Sequence, residues 1–440
     1  MAHNLRRDLG LVESYAALLG MLIGAGIFKV TGVAWELTGP SVILGYLVLA
    51  PAILATSVAY AVFVSTPLGK EPGGEYAHIS RTFGGYGLAF VGAWLKVISY
   101  IGALAYLSRA CGDYVRQLFG RGDAMFIAAG CLVFFYAIHI AGVRWFGRLQ
   151  VWMCIVLGIS IAVLVGPGLF AIRMDNYHPF FTGGIKGFAS ALPPLFFAYA
   201  GFEALAQTAG EVKESTSRLP RVFLRGIVAT TIIYLLMSAV ALGVLPAAKL
   251  RVSDAPMADA AALYLPMGAA MLVTIGAIMA LTTSVNATML VPSRVAIMLA
   301  DDGLAPRWLG RVSPRTGTPI VGLTLTFLAA LVLLLSGKIS LALNIAVFAL
   351  VALYFLHSIA LLRIPKALSA QVTVRIPRWL QLVSAWLSIA AMGMLIVLQL
   401  RDRDLIILVA VWAAIGVVLY VSGRIAHRGA AGRMENAEET

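Results

Sequence analysis

Charge is what this chain lacks. Asp, Glu, Lys and Arg make up 12% of its 440 residues, against 60% hydrophobic residues and a mean hydropathy of +0.91. A soluble domain of this length needs far more surface charge, so a water-soluble globular fold is excluded. Cysteine is equally sparse. Cys111, Cys131 and Cys154 have no metal or redox spacing, lie in or beside apolar runs, and read as small core residues. No HExxH pair, GxSxG elbow or Walker A loop occurs. An intramembrane enzyme and ATP-driven transport within the chain are therefore not expected, nor is any cofactor or metal. Short strands of alternating polarity are also missing, which excludes a transmembrane barrel.

What is present is a series of long apolar runs. A helix needs about 20 such residues to cross the hydrocarbon core, and helices satisfy their backbone groups internally. The expected spans are 12–37, 41–66, 83–110, 125–141, 149–172, 185–209, 221–245, 266–300, 318–336, 339–362, 380–400 and 404–423. This is an all-α integral membrane protein of about twelve transmembrane helices. The N-terminus runs into a first apolar segment too long for a cleavable signal peptide. An even number of spans puts both termini on one side, and that side carries roughly twice as many Lys and Arg as the other, so both termini are expected to be cytoplasmic. The same bias accounts for the net charge of +13 without a nucleic-acid partner. The acidic tail from Glu435 to Thr440 is expected to lack fixed structure.

Two spans carry helix-breaking motifs. The first contains Gly24-Ala25-Gly26-Ile27-Phe28, where glycine weakens the helix by roughly 1 kcal/mol per residue and lets a ligand approach the backbone. A break there frees amide donors that suit a carboxylate; close packing through small residues is the competing explanation. The sixth span contains Phe197-Ala198-Tyr199-Ala200-Gly201-Phe202-Glu203, with a carboxylate deep in an apolar run. Such a group costs a few kcal/mol unless paired, so function is the default expectation, with a purely structural role as the competitor. Interruptions at corresponding places in two five-helix halves point to inverted repeats with a site at the midplane. The expected division is an N-terminal segment 1–11, repeats at 12–172 and 185–362, two further helices within 380–423 and a tail 424–440.

On these residues the chain resembles the amino acid–polyamine–organocation superfamily. The resemblance spans about residues 8–425. It rests on Gly24 to Phe28, on Pro72-Gly73-Gly74-Glu75-Tyr76 followed by Phe83-Gly84, and on Phe197 to Glu203. It also rests on Ala209-Gly210-Glu211-Val212-Lys213 with Arg218-Leu219-Pro220, and on Asp301-Asp302-Gly303-Leu304-Ala305-Pro306. The resemblance implies a five-plus-five bundle with discontinuous helices in spans 1 and 6, acting as a secondary active transporter by alternating access. It implies that a substrate carboxylate meets Gly24, Ala25 and Gly26, with Ile27 beside them. The substrate amino group would meet carbonyls near Ile23 and around Phe197, Ala198 and Tyr199, with Gly201 completing the second break. Phe197 falls at the family's aromatic gate and Glu203 at a glutamate linked to gating or protonation.

Two departures bear on the coupling ion, H+ or Na+. Several proton-coupled relatives carry a lysine in span 5, whose counterpart here is near Val156 or Leu157, and none is present. Span 8 offers Thr282-Thr283-Ser284, and hydroxyls there suit sodium, with Thr282 and Thr283 as candidate ligands; bonding to their own helix carbonyls is the competing explanation. Lys29 is expected to pair with Glu203 or Glu36, to act in gating or coupling, or to reach the interface. Lys96 is expected to be interfacial, and His139 and His357 to lie near span ends. The expected substrate is a small molecule, an amino acid with a neutral side chain, leaning toward a hydrophobic one, with the plasma or bacterial inner membrane as the location. A polyamine or other organic amine is the alternative, and a non-transporting receptor-like protein a remote one. Nothing in the residues sets the oligomeric state.

Overall fold

The computed structural model describes residues 10–70, 73–141, 143–207, 209–250, 253, 255–314 and 316–438. Pro72 and Arg315 lie outside the described residues, as do the side chains of Ala25, Arg144, Arg148 and Glu211. Every regular element among the described residues is helical. In chain order they are α1 (Leu11–Leu22), α2 (Ala25–Phe28), α3 (Val30–Thr38), α4 (Val42–Val64), α5 (Glu75–Phe83), α6 (Tyr86–Phe119) and α7 (Ala124–Ala141). Next come α8 (Val143–Gly168), α9 (Gly184–Phe197), α10 (Ala204–Gln207), α11 (Ser215–Val244), α12 (Ala247–Leu250) and α13 (Pro256–Tyr264). The chain ends with α14 (Met267–Asp301), α15 (Ile320–Leu335), α16 (Ile339–Leu362), α17 (Lys366–Ser369), α18 (Arg378–Gln399) and α19 (Arg403–Glu438).

Among the described residues, 10 helical stretches are long and apolar enough to cross a membrane, and the apolar helix Ile320–Leu335 is shorter. The sixth expected span appears as α9, which is 14 residues long and stops at the anticipated break. Hydropathy places the helices within a few residues of their observed positions. The exceptions are α6 and α11, which run beyond the apolar stretch because Arg116 and Arg218 sit on helical turns that project past it. The tail departs from expectation. Instead of losing structure, α19 continues to Glu438.

The bundle is built around α6 and α14. They pack on each other, α6 packs on α16, α14 packs on α8, and α4 packs on α11. The close approaches depend on missing side chains. A Cβ on Gly102 would lie 2.5 Å from the carbonyl oxygen of Ala342, so α6 and α16 touch backbone to backbone. The last helix, α19, is an appendage that meets α6 and α16 and is otherwise exposed. Around Glu75, α5 lies across one end of the bundle, beside the start of α6 and the end of α14. That is called the α5 end below.

Gly102→Val is expected to destabilise the fold by about 1–3 kcal/mol through overpacking. Gly130→Val, whose Cβ would meet nothing within 4 Å, is expected to leave stability within about 0.5 kcal/mol. Thermal unfolding in detergent compares the two, and equal losses would show that the α6–α16 contact is not a constraint.

Candidate functional site

The first break falls at Ile23 and Gly24, between α1 and α2, and the second runs from Ala198 to Glu203, between α9 and α10. Each has a local cause. The last α1 turn ends where Gly24 removes a side chain, and Gly24 itself sits where a Cβ would be 2.1 Å from Ser284 Oγ. In α9, Pro193 and Pro194 remove two amide donors in succession, and Gly201 then takes φ +111°, a conformation that side chains disfavour.

The breaks meet. A Cβ on Gly26 would lie 2.1 Å from the Cα of Ala198, so only glycine lets the two irregular backbones cross here. Tyr234, from α11, holds both: its hydroxyl lies within hydrogen-bonding reach of Leu22 O in one break and Ala198 O in the other. Tyr46 Oη donates to Gly26 O at 3.1 Å, Tyr199 Oη to Tyr46 O at 3.1 Å, and Tyr114 Oη to Phe28 O at 2.6 Å. Buried carbonyls released by the breaks are thus taken up by tyrosine hydroxyls, which an apolar interior requires.

Between the breaks lies a cavity of about 40 Å³, counted as room for water centres. Gly24, Gly26, Phe197, Gly201 and Glu203 line it, as the sequence suggested. Ile23, Ile27, Ala198 and Tyr199 stand behind this lining, buried at 3%, 0%, 1% and 0% exposure. Phe197 packs edge-on against Tyr106, with ring centroids 5.5 Å apart. The space suits one or two waters, so an amino acid enters only if Phe197, Leu350 or the breaks move. Met21, Leu22, Ala200 and Ser284 also line it, and so do Ser99, Tyr100, Ala103 and Leu107 from α6, Thr288 from α14 and Leu350 from α16, six residues that sequence reasoning missed. They lie in helices with no break, where only packing decides which face looks inward.

Glu203 is fully buried at the α5 end of the cavity. Its carboxylate accepts from Tyr100 Oη at 2.7 Å, from Tyr354 Oη and from the amide of Gly201 at 2.9 Å. These bonds tie α6, α16 and the second break together beneath the cavity.

Three expectations change. Lys29 reaches neither Glu203 nor Glu36. It pairs with Asp113 at 3.0 Å, beside Arg109, because the turn after α2 points it at the C-terminal half of α6, on the far side of the breaks from Glu203. Thr282 Oγ1 donates within its own helix, to Ile278 O at 2.8 Å, and lies against Met153 of α8, since a 100° step turns it from α1. Thr283 and Ser284 have Gly20 O of α1 within reach, at 2.8 and 3.4 Å, and both hydroxyls are nearer to Ala280 O of their own helix, at 2.7 and 3.1 Å. Lys96 is not interfacial: it is 1% exposed and pairs with Glu75 at 2.8 Å. His357 is buried against His78, at 3.0 Å, and His139 Nε2 meets Asn286 O at 2.9 Å.

At the α5 end, Glu75 accepts from Lys96 Nζ, from Tyr60 Oη at 2.8 Å and from Gln207 Nε2 at 3.4 Å. Burial opposes its ionisation, but the Lys96 ammonium and these hydrogen bonds outweigh it, so its carboxyl stays below the usual range. Burial, with His357 alongside, holds the neighbouring His78 well below the ordinary histidine range, hence neutral.

A multi-pass helical membrane protein whose two broken helices meet over a buried cavity belongs to the carriers of small molecules. Residues 15–426 match the amino acid permease family, and the chain belongs to that family. It is 27% identical over 339 residues to a branched-chain amino acid permease of Bacillus subtilis (strain 168), covering 72% of each chain. It is 29% identical over 350 residues to a methylthioribose transporter of the same organism, covering 74% of each. Against a vacuolar cationic amino acid transporter of Arabidopsis thaliana it is 27% identical over 348 residues, covering 72% of this chain and 56% of that one. The protein is an amino acid permease, and its family is one of transporters rather than enzymes.

Gly26→Val places atoms inside the Ala198 backbone and is expected to lower substrate affinity at least about 10-fold, the equivalent of the roughly 1–3 kcal/mol that overpacking costs. Near-normal binding by that variant would remove the first break from the site. Glu203→Gln keeps the shape but cannot ionise, and transport by it is expected to lose its pH dependence. An unchanged profile would leave Glu203 as a structural tie only.

Proposed function

We propose that the protein is a secondary active transporter for an amino acid with a neutral side chain, working by alternating access at the paired breaks. One observation carries this: both breaks open on one cavity, and among its lining residues Glu203 alone carries a charge. A substrate carboxylate fits the amide donors at Gly24, Ala25 and Gly26. The amino group fits the carbonyl side of the breaks and Glu203. Nothing else charged lines the wall to meet a cationic or anionic side chain, and Ala103, Leu107 and Leu350 suit an apolar one. The branched-chain permease among the relatives agrees with this choice. A polyamine would call for several acidic residues around the cavity, where one is found.

Twelve spans result when α1 to α3 count as one, α9 and α10 as another, and α15 is included. An inverted repeat of five and five is supported by the contacts. If α4 corresponds to α11, α6 to α14 and α8 to α16, then α6 on α16 has its counterpart in α14 on α8. Likewise α1 on α11 has its counterpart in α9 on α4. The repeats are then 12–172 and 185–362, with α18 and α19 outside them. The arginine and lysine bias supports cytoplasmic termini at the plasma or inner membrane, which makes the α5 end cytoplasmic.

In this cycle the Lys29–Asp113 pair and Phe197 close the outer path, and the Tyr100–Glu203–Tyr354 bonds close the inner one. The proton is the proposed coupling ion. The hydroxyls of Thr283 and Ser284 lie nearest Ala280 O of their own helix, at 2.7 and 3.1 Å, and hydrogen bonding within α14 accounts for them without sodium.

Thermal shift of purified protein with the twenty amino acids and common polyamines, with and without sodium, tests this reading. A neutral amino acid at 100-fold its Kd is expected to stabilise by about 2.7 kcal/mol, independent of sodium. Stabilisation by polyamines alone would overturn the substrate class, and a strict sodium requirement would overturn the proposed ion.

A further inference from the structure

Two carboxylates lie buried in one polar cluster, and one ammonium, bonded to Glu75, lies in the cluster with them. Glu203 is 0% exposed, Glu75 1% and Lys96 1%. Lys96 Nζ bonds Glu75 at 2.8 Å and also sits 5.6 Å from the ring centre of Tyr100, whose hydroxyl bonds Glu203. Lys96 and Tyr100 are four residues apart on α6, so they share a face. Among the described residues, the remaining groups of the cluster are uncharged. Tyr60 comes from α4, Gln207 from α10, Tyr354 and His357 from α16, and His78 from α5 itself. Both Lys96 and Glu75 act electrostatically on Glu203.

The charge count has a consequence for chemistry. With both acids ionised and Lys96 charged, the cluster carries a net charge of minus one in an apolar interior. An uncompensated buried charge costs several kcal/mol. One bound proton makes the cluster neutral, and a second would make it positive. Lys96 can balance either carboxylate but not both.

We propose that Glu75, Lys96 and Glu203 form a single unit that binds one transport proton. Glu203 takes the proton as a neutral carboxylic acid while Lys96 is committed to Glu75. When the inner path opens and water reaches the cluster, the proton leaves Glu203 as hydronium and the carboxylate returns. Lys96 then has two anions to serve instead of one. In this protein a span-3 lysine thus does the balancing for which the missing span-5 lysine offers no group. The proposal rests on the transport reading and goes beyond Glu203 by requiring Glu75 and Lys96.

The test uses proteoliposomes holding the full-length protein, with radiolabelled leucine and alanine as probes and a pH-sensitive dye in the lumen. Counterflow reports binding and alternating access, and it needs no net proton movement. Accumulation driven by an acid-outside gradient reports coupling. Glu75→Gln frees Lys96 to pair with Glu203, making the cluster neutral without a proton. That variant is expected to keep counterflow within about threefold and to lose gradient-driven accumulation and the dye signal. The double variant Glu75→Gln/Lys96→Met leaves Glu203 alone with one proton to bind, and is expected to regain both.

Lys96→Met alone leaves two carboxylates without a cation, so its pH midpoint for accumulation is expected to rise by about one unit or more. A structural clamp would make the single and double variants lose stability and both fluxes together, with residual transport still coupled. Coupled accumulation by Glu75→Gln, or a double variant that exchanges but stays uncoupled, would overturn the proposal. So would an unmoved midpoint for Lys96→Met, which stands even if Glu75→Gln does not fold. Wild-type counterflow with no gradient-driven accumulation and no dye signal overturns the coupling proposal alone. Absence of counterflow with every amino acid overturns the transport reading, and the proposal with it.

Discussion

The crossing of Gly26 over Ala198 is the contact on which the arrangement depends. Two helices are interrupted inside a layer that offers no water, and each interruption exposes backbone groups that need partners. Bringing the interruptions together solves part of that problem, since both sets of carbonyls come within reach of Tyr234. Any side chain at position 26 would separate them. The cavity, the position of Glu203 and the tyrosine shell all follow from this one approach.

Polar groups in the interior are arranged in three tiers. At the end opposite α5, Lys29, Asp113 and Arg109 form a partly exposed group. In the middle, tyrosine and serine hydroxyls serve the broken backbone. At the α5 end, Glu203, Lys96 and Glu75 bring charge into full burial. Ionic groups therefore stand on either side of the cavity and stay out of its wall, except for Glu203. This separation suits a carrier: charge pairs that form and break can bias which end is open, while the wall itself remains neutral toward the cargo.

The aromatic residues have a double role in this design. Tyr46, Tyr60, Tyr234 and Tyr354 are fully buried, and each packs against further rings while its hydroxyl bonds a carbonyl or a carboxylate. Their ring faces fill volume between helices and their hydroxyls reach across it. A phenylalanine would fill the same space and leave the oxygen acceptors without donors. Tyrosine is thus the residue that lets an apolar bundle tolerate irregular backbone.

The helix positions, the two breaks and the candidate role of Glu203 were legible along the chain, because hydropathy, proline and glycine act on the residues nearest to them. Gly24, Gly26 and Gly201 signal their function locally, by what they leave out. Partner choice was not legible. Lys29 met Asp113, Lys96 met Glu75, and Thr283 with Ser284 turned to α1 while Thr282 turned away, outcomes set by the rotation of one helix against another. A step of one residue turns a side chain by 100°, and nothing in a uniformly apolar helix such as α14 records which face will be buried against which neighbour. Ser99, Thr288 and Leu350 entered the cavity wall for that reason. Local chemistry set where the chain spans and breaks, and only packing among distant helices decided which charges meet.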